Sequence, residues 1–97
     1  MAERDIWDRQ LNLEYAAART RAQAADDAER PYFPEYAVRV TQLRDAQRAW
    51  IAFRDAECAL QYGAYGSGSM RQIAGADCQL RLTAERTLDL ADYLAED

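Results

Sequence analysis

Residues 62–69 read Tyr-Gly-Ala-Tyr-Gly-Ser-Gly-Ser, and three glycines among eight residues make this stretch the clearest break in the chain. Glycine lacks the side chain that restricts other backbones, so a glycine cluster favours a loop over a continued helix or strand. Apolar residues with helical spacing lie on both sides of this break. The sequence therefore predicts two helices joined by a loop at 63–68 and packed as an antiparallel pair.

The helix before the loop is expected to span about residues 35 to 62. Its apolar anchors are Tyr36, Val40, Leu43, Trp50, Phe53 and Leu60. The helix after the loop is expected to span about residues 69 to 94, and Ser69 followed by Gln72 fits a capping box at its start. Its apolar face carries Leu80, Thr83, Thr87, Leu90 and Leu94, widened by Ile73, Leu82 and Leu88. Steps of three and four residues put most of each set on one side of a helix with 3.6 residues per turn.

An earlier helix is expected from about residue 4 to 28, with Asp5 as its N-cap. Its apolar face carries Trp7, Leu11, Tyr15, Ala18, Ala22 and Ala25. Residues 29–34 are expected to form a linker, because Pro31 and Pro34 cannot both lie inside a continuous helix. Pro34 suits the first position of the next helix, where its missing N–H costs nothing. The pattern predicts a single all-α domain, a small antiparallel bundle of three main helices.

The composition and the charge limit the classes of partner. Ninety-seven residues, 49% of them hydrophobic and 30% charged, fit one globular domain, and no apolar run is long enough to cross a bilayer. The net charge is −5, and residues 77–97 carry six acidic and two basic side chains. This acidic third disfavours nucleic acid as a partner and is compatible with a basic protein, although most acidic surfaces only increase solubility.

The residue types also argue against catalysis. All 12 basic residues are arginine, and histidine is absent, which excludes a Ser-His-Asp triad and a histidine-based zinc site. Asp55 with Glu57, or Asp26 with Asp27, are weak candidates for an acid and base pair, since Asp26 and Asp27 have the pattern of a solvated helix end. The sequence predicts a protein that is not an enzyme and holds no metal or cofactor.

Cys58 and Cys78 are too few for a structural zinc site and too far apart for a redox Cys-x-x-Cys motif. They fit one disulfide in an oxidising compartment or two buried thiols in a reducing one. No signal peptide is visible, because Met1 to Asp5 carries acidic residues where a basic segment belongs. The residues alone leave both compartments open.

Three polar residues are expected to form a structural network. Gln47, Arg54 and Glu57 fall on the same side of their helix as Leu43 and Trp50, where apolar residues are the norm. They need partners across the core, because an unpaired buried guanidinium costs several kcal/mol. The sequence favours this structural role over a binding site.

The loop itself is the candidate binding surface. Tyr62, Tyr65, Ser67 and Ser69 combine rigid aromatic rings with adaptable hydroxyl groups between glycines, as antibody binding loops do. The alternative is an ordinary glycine-rich connection between two helices.

Several spaced motifs together resemble a known family. The motifs are Leu11-Asn12-x-x-Tyr15, Leu43-x-x-x-Gln47-Arg48-x-Trp50-Ile51-x-Phe53-Arg54-Asp55-x-Glu57-Cys58, the turn Gly68-Ser69, and Cys78-x-x-x-Leu82-Thr83-x-x-Arg86 with Leu90. This pattern resembles the LprI-type lysozyme-inhibitor domain family of bacteria over roughly residues 8 to 94. The central block from Gln47 to Cys58 is the most specific part.

The resemblance implies an exported helical domain with a disulfide between Cys58 and Cys78. It also implies a protein partner, with a basic lysozyme as the candidate, and a role in inhibiting that enzyme. The alternative is an interaction module of the envelope without a lysozyme target, pairing through aromatics such as Trp7 or Tyr93. The expected location is periplasmic or secreted, or cytoplasmic if Met1 is the native start, and the oligomeric state is left open.

The disulfide implied by the resemblance has a geometric consequence for the third helix. Cys58 lies roughly 6 Å along the helix axis before the loop, whereas Cys78 lies roughly 13 Å after Ser69, at about 1.5 Å per residue. A straight hairpin would leave the two residues out of register. Gly75 offers a place to bend, so the third helix is expected to be kinked or broken near Ala74 to Asp77.

Overall fold

The computed structural model describes residues 2–95, with side chains from residue 5 onward. It contains three long helices: α1 (Ala2–Glu29), α2 (Arg39–Gly63) and α3 (Met70–Asp92). A short 3-10 helix, Pro34–Tyr36, lies between α1 and α2. No strand occurs within residues 2–95. The prediction of an all-α bundle of three main helices is confirmed.

Three details at the helix ends differ from the predictions. Asp5 lies inside α1, which already runs from Ala2, so it is not the N-cap. Pro34 begins the 3-10 helix, and α2 starts only at Arg39 rather than near residue 35. Ser69 precedes α3 with helical dihedral angles (φ −65°, ψ −23°) and makes no capping hydrogen bond through its side chain. A capping side chain needs an extended backbone at that position, so the capping box does not form.

The core lies where α3 packs against both other helices. Its buried apolar residues are Leu11, Ala18, Ala22, Leu43 and Leu90, with Tyr15, Val40, Trp50 and Tyr93 partly buried around them. Ala18 and Ala22 are completely buried, and their small side chains let the backbone of α1 approach its neighbours closely. Six predicted apolar positions are instead exposed: Tyr36, Phe53, Leu60, Ile73, Leu88 and Leu94.

The molecule is a rod rather than a sphere. Its principal extents are 58 × 24 × 17 Å and its radius of gyration is 16.7 Å, compared with about 12 to 13 Å for a compact chain of this length. A rod has more surface per residue than a sphere, which explains why several apolar side chains at the periphery of α2 and α3 stay exposed.

Helix α1 caps both of its neighbours. The Asp26 carboxylate, 2% exposed, accepts hydrogen bonds from the backbone N–H groups of Arg39 (3.0 Å) and Val40 (3.1 Å), at the start of α2. The Arg21 guanidinium donates to the carbonyl oxygens of Tyr93 and Leu90 at the end of α3, both at 2.8 Å. Each charge matches the dipole of the helix end that it meets. The interpretation of Asp26 as part of a solvated helix end is therefore wrong.

The disulfide between Cys58 and Cys78 joins α2 to α3, with Cα atoms 5.4 Å apart and both residues buried. The loop between α2 and α3 brings Cys58 and Cys78 to the same level along the two helices. Backbone bonds from the Ala64 N–H to Leu60 and from the Gly66 N–H to Gly63 continue the rise beyond the end of α2. The two cysteines therefore meet although α3 is unbroken.

Helix α3 is accordingly continuous from Met70 to Asp92, and the predicted break near Gly75 is absent. A milder bend of the axis there stays a prediction. The space that Gly75 leaves is occupied by the side chain of Tyr62: a Cβ atom at Gly75 would lie 3.2 Å from Cδ2 of Tyr62. The glycine thus permits a close approach between α2 and α3.

None of the helices in the described part of the chain combines the length and the apolar composition needed to span a lipid bilayer.

Candidate functional site

The end of the α2–α3 hairpin is a candidate binding surface. We call residues 59–77 the tip. None of these residues is buried, so the disulfide between Cys58 and Cys78 is the last buried contact toward this end. The exposed large apolar side chains of the tip are Leu60, Tyr62, Tyr65, Met70 and Ile73. Apolar side chains concentrated at one end of a small protein are typical of an interaction surface.

Tyr62 links the two helices of the tip through contacts with Gly75 and Arg71. The Tyr62 side chain lies against Gly75, and the guanidinium carbon of Arg71 lies 5.7 Å from the centre of the Tyr62 ring. The ring therefore contacts α3 at two points one turn apart, at Gly75 and at Arg71. A cation over a tyrosine face is attracted by the ring quadrupole, so this stack limits the movement of both side chains.

Glycines shape the loop that closes the tip. Gly66 has φ +55°, a conformation that most other residues adopt only with strain. The Gly68 N–H donates to the Tyr65 carbonyl at 2.8 Å, and a Cβ atom on Gly68 would lie 3.0 Å from that same oxygen. Both glycines are needed for this tight turn, which presents Ser67 and Ser69 to solvent.

All four residues of the predicted binding loop are exposed in the tip: Tyr62, Tyr65, Ser67 and Ser69. Tyr62 belongs to the last turn of α2 rather than to the loop. Their role in binding stays a prediction. The sequence reading missed Arg71, because its stacking on Tyr62 depends on how two helices are aligned.

A polar cluster surrounds Trp50 in the middle of the rod. The guanidinium carbons of Arg54 and Arg86 lie 5.0 Å and 5.8 Å from the Trp50 ring centre. Arg86 donates to the Gln47 side-chain oxygen at 2.9 Å, and Arg54 donates to the Thr83 hydroxyl at 3.4 Å. Burial lowers the pKa of Arg86, although the nearby Asp89 acts in the opposite direction.

Glu57 lies apart from this cluster. Its carboxylate accepts a hydrogen bond from Gln61, one turn further along α2, at 2.9 Å. Of the three residues predicted to form a structural network, the structure brings Gln47 and Arg54 together around Trp50 and leaves Glu57 outside. Asp55, which with Glu57 is a weak sequence candidate for an acid and base pair, is exposed and accepts a hydrogen bond from Arg54 at 3.1 Å.

A second exposed apolar surface lies at the opposite end of the rod. It is the aromatic turn, residues 32–38, where the rings of Phe33 and Tyr36 lie 6.0 Å apart. Its exposed side chains are Tyr32, Phe33, Tyr36 and Val38. By contrast, Trp7 and Tyr93, the aromatics predicted to pair in an interaction module, are only partly exposed, and Tyr93 packs against the core.

Charge is distributed unevenly between tip and body. The tip contains one basic residue, Arg71, and one acidic residue, Asp77, so its net charge is zero. The whole net charge of −5 is therefore carried by the rest of the chain. Within the described residues, no group of three or more Cys, Asp or Glu side chains is arranged to hold a metal ion.

Comparison with known proteins identifies the family. Residues 1–90 match the profile of the family described as "Lysozyme inhibitor LprI". The chain belongs to the LprI lysozyme-inhibitor family. A protein of Rhizobium meliloti (strain 1021), described as uncharacterized, is 33% identical over 87 residues, which cover 90% of this chain and 63% of that protein. The chain thus spans less than two thirds of this relative's length. No solved structure matches this chain.

The motifs that carry the resemblance have a structural role in this LprI domain. Gln47, Trp50 and Arg54 from the central block meet Thr83 and Arg86 from the third motif in the cluster around Trp50. The two cysteines of the motifs form the disulfide. Except for Gly68-Ser69, the motif residues lie outside the tip. The pattern therefore describes the scaffold of the LprI domain more than its exposed end.

Proposed function

We propose that this LprI-family domain is a non-enzymatic inhibitor of a lysozyme-type muramidase in the bacterial envelope, and that it binds its target through the tip. The observation that carries the proposal is an exposed tip without net charge on an acidic rod, in a chain whose family is described by lysozyme inhibition. The tip offers aromatic, aliphatic and hydroxyl groups in one small surface, a combination found where proteins bind proteins.

The charge distribution supports a basic target. Lysozymes are typically basic proteins with an acidic catalytic cleft, so a body with net charge −5 is attracted to them at long range. The tip has no net charge and can approach an acidic cleft without overall repulsion. The acidic body would thus attract the basic target at long range, and the tip would make the direct contact.

The experiment is a titration of the protein against a basic lysozyme that is hydrolysing peptidoglycan. We expect inhibition that saturates near equimolar protein, and an absence of inhibition at micromolar excess would sink the proposal. Tyr65→Ala should weaken inhibition strongly. Tyr32→Ala, which removes the same kind of exposed ring from the aromatic turn, is the matched control and should leave inhibition unchanged.

A second candidate function is an envelope interaction module without a muramidase target. The aromatic turn favours it, because three exposed rings at the end opposite to the tip form a separate apolar surface. Affinity capture from envelope extract separates the two proposals. A muramidase that is lost with Tyr65→Ala supports the inhibitor, whereas another protein that is lost with Tyr32→Ala supports the interaction module.

We place the protein in the periplasm or outside the cell. The buried disulfide supports this location, since such bonds persist in oxidising compartments and are rare in the reducing cytosol. Cell fractionation followed by thiol labelling under denaturing conditions tests the location. Labelled, reduced cysteines in a cytosolic fraction would contradict it.

A further inference from the structure

We propose that Arg71 provides the central charged contact with the muramidase by placing its guanidinium against a carboxylate in the acidic cleft. The inference rests on the proposed function and names the chemistry of its central contact. Glycosidases of this kind work with a pair of carboxylates flanking the bond that is cleaved. Arg71 is the only basic residue of the tip, whose other charged residue is Asp77 at its last position and whose large exposed side chains are apolar. A guanidinium in such a surface can pair with a carboxylate of the target.

The position of Arg71 is unfavourable for the isolated protein. It lies in the first turn of α3, where the helix dipole favours acidic residues and disfavours basic ones. Within the described residues it forms no ion pair, in contrast to Arg39, which bonds both Asp26 and Glu29. Within the fold, the Arg71 guanidinium contacts the Tyr62 ring, and its charge is not matched by a carboxylate in the described residues. A partner that supplies a carboxylate would provide that match.

The side chain is also held ready for binding. The guanidinium lies over the Tyr62 ring, and that ring packs against Gly75, so these contacts limit the movement of the cation. An arginine held in one orientation loses less conformational freedom when it binds. Its planar fork can donate two parallel hydrogen bonds to one carboxylate, which a lysine in the same place cannot do.

The first experiment compares the inhibition constants of Arg71→Gln and Arg81→Gln with that of the wild type. Both substitutions remove one positive charge from α3, but Arg81 is exposed outside the tip. We expect Arg71→Gln to weaken inhibition by about 30-fold or more, mainly through faster dissociation, as found when one member of a desolvated charge pair is removed. Arg81→Gln should change inhibition by less than about threefold, mainly in the association rate.

Two further variants separate charge from geometry. Arg71→Lys keeps the charge but loses the planar fork, so its inhibition should lie between those of the wild type and Arg71→Gln. Gly75→Ala leaves the charge unchanged and displaces the Tyr62 ring by a few tenths of an ångström, so it should also weaken binding. Far-ultraviolet circular dichroism checks that each variant retains its helices.

The outcomes distinguish the two proposals. If the wild type inhibits and Arg71→Gln inhibits equally well, the role of Arg71 is refuted while the inhibitor function stands. Equal losses for Arg71→Gln and Arg81→Gln would also refute it, because the effect would be one of general charge. If the wild type does not bind or inhibit a muramidase at all, the proposed function fails and the role of Arg71 fails with it.

Discussion

The disulfide should provide a large share of the stability of this small rod. Replacing both Cys58 and Cys78 by alanine removes a cross-link between residues separated by 20 positions. The chain-entropy relation for a loop of this length gives a loss of about 3 kcal/mol. For a domain below about 100 residues, each kcal/mol lowers the melting temperature by roughly 4 to 8 °C, so we expect a drop of roughly 15 °C.

The structure also indicates where the loss should be felt first. No residue between Cys58 and Cys78 is buried, so the tip has no core contacts of its own beyond the disulfide. Without the bond, amide protons of residues 59–77 should exchange with solvent much faster. Amide protons around Leu43 and Leu90 should lose only as much protection as the drop in global stability explains. The tip should therefore open locally in the variant before the whole domain unfolds.

Thermal unfolding followed by circular dichroism, combined with hydrogen exchange, measures both effects. Wild-type protein reduced under denaturing conditions and refolded with reductant is the control, and it should match the double alanine variant. A melting temperature lowered by less than about 4 °C would refute the argument, since it corresponds to about 1 kcal/mol or less. Uniform loss of protection along the chain would refute the assignment of the effect to the tip.

Three other predictions concern the body of the rod. Burial alone would raise the pKa of Asp26, but the hydrogen bonds from Val40 and Arg39 and the charge of Arg39 outweigh it and lower the pKa below 3.8. The ionised Asp26 therefore stabilises the fold above pH 3.8, and this stabilisation is lost as the pH falls through the lowered pKa. Asp26→Asn should accordingly reduce the pH dependence of the free energy of unfolding, measured by urea titrations between neutral and low pH. Leu90→Ala should destabilise by about 2 to 5 kcal/mol and exposed Leu88→Ala by less than about 0.5 kcal/mol in chemical denaturation. Arg21→Gln removes charged donors from the end of α3 and should cost about 2 kcal/mol, against almost nothing for exposed Arg19→Gln.

Local sequence signals were sufficient for the architecture. The glycines of 62–69 and the prolines at 31 and 34 separate three stretches with helical periodicity, and each is a helix in the structure. The start of α2 was missed because proline fits the first position of a 3-10 helix as well as that of an α-helix. Which of the two forms is decided by Asp26, which fixes the start of α2 at Arg39 from another helix.

Contacts between helices were the part that sequence did not predict. Asp26 follows Ala18 and Ala22 at steps of four, so its position on the buried face was visible, but its partners, the amides of α2, depend on how α1 and α2 align. From the sequence, the flexible backbone of Gly75 predicts a bend in the third helix. Its neighbour Tyr62, which explains it, is brought there by the disulfide register.

The candidate site follows the same division. Exposure of Tyr65, Ser67 and Ser69 follows from local composition, because a glycine-rich connection between helices lies at the surface. Arg71 required the structure, since its significance depends on the Tyr62 ring next to it and on the lack of an ion pair for Arg71 among residues 5–95.

The separation of scaffold and tip has a consequence for how target choice can change. The side chains of the Trp50 cluster contact one another across α2 and α3, and the two cysteines are bonded to each other. Substitutions in either set therefore disturb the packing of the two helices. The tip contributes no buried residue, and most of its exposed side chains contact solvent rather than the core. Substitutions of its exposed side chains, as opposed to Gly66, Gly68 and Gly75, should therefore alter binding with little effect on stability. This arrangement lets one helical scaffold carry different binding surfaces.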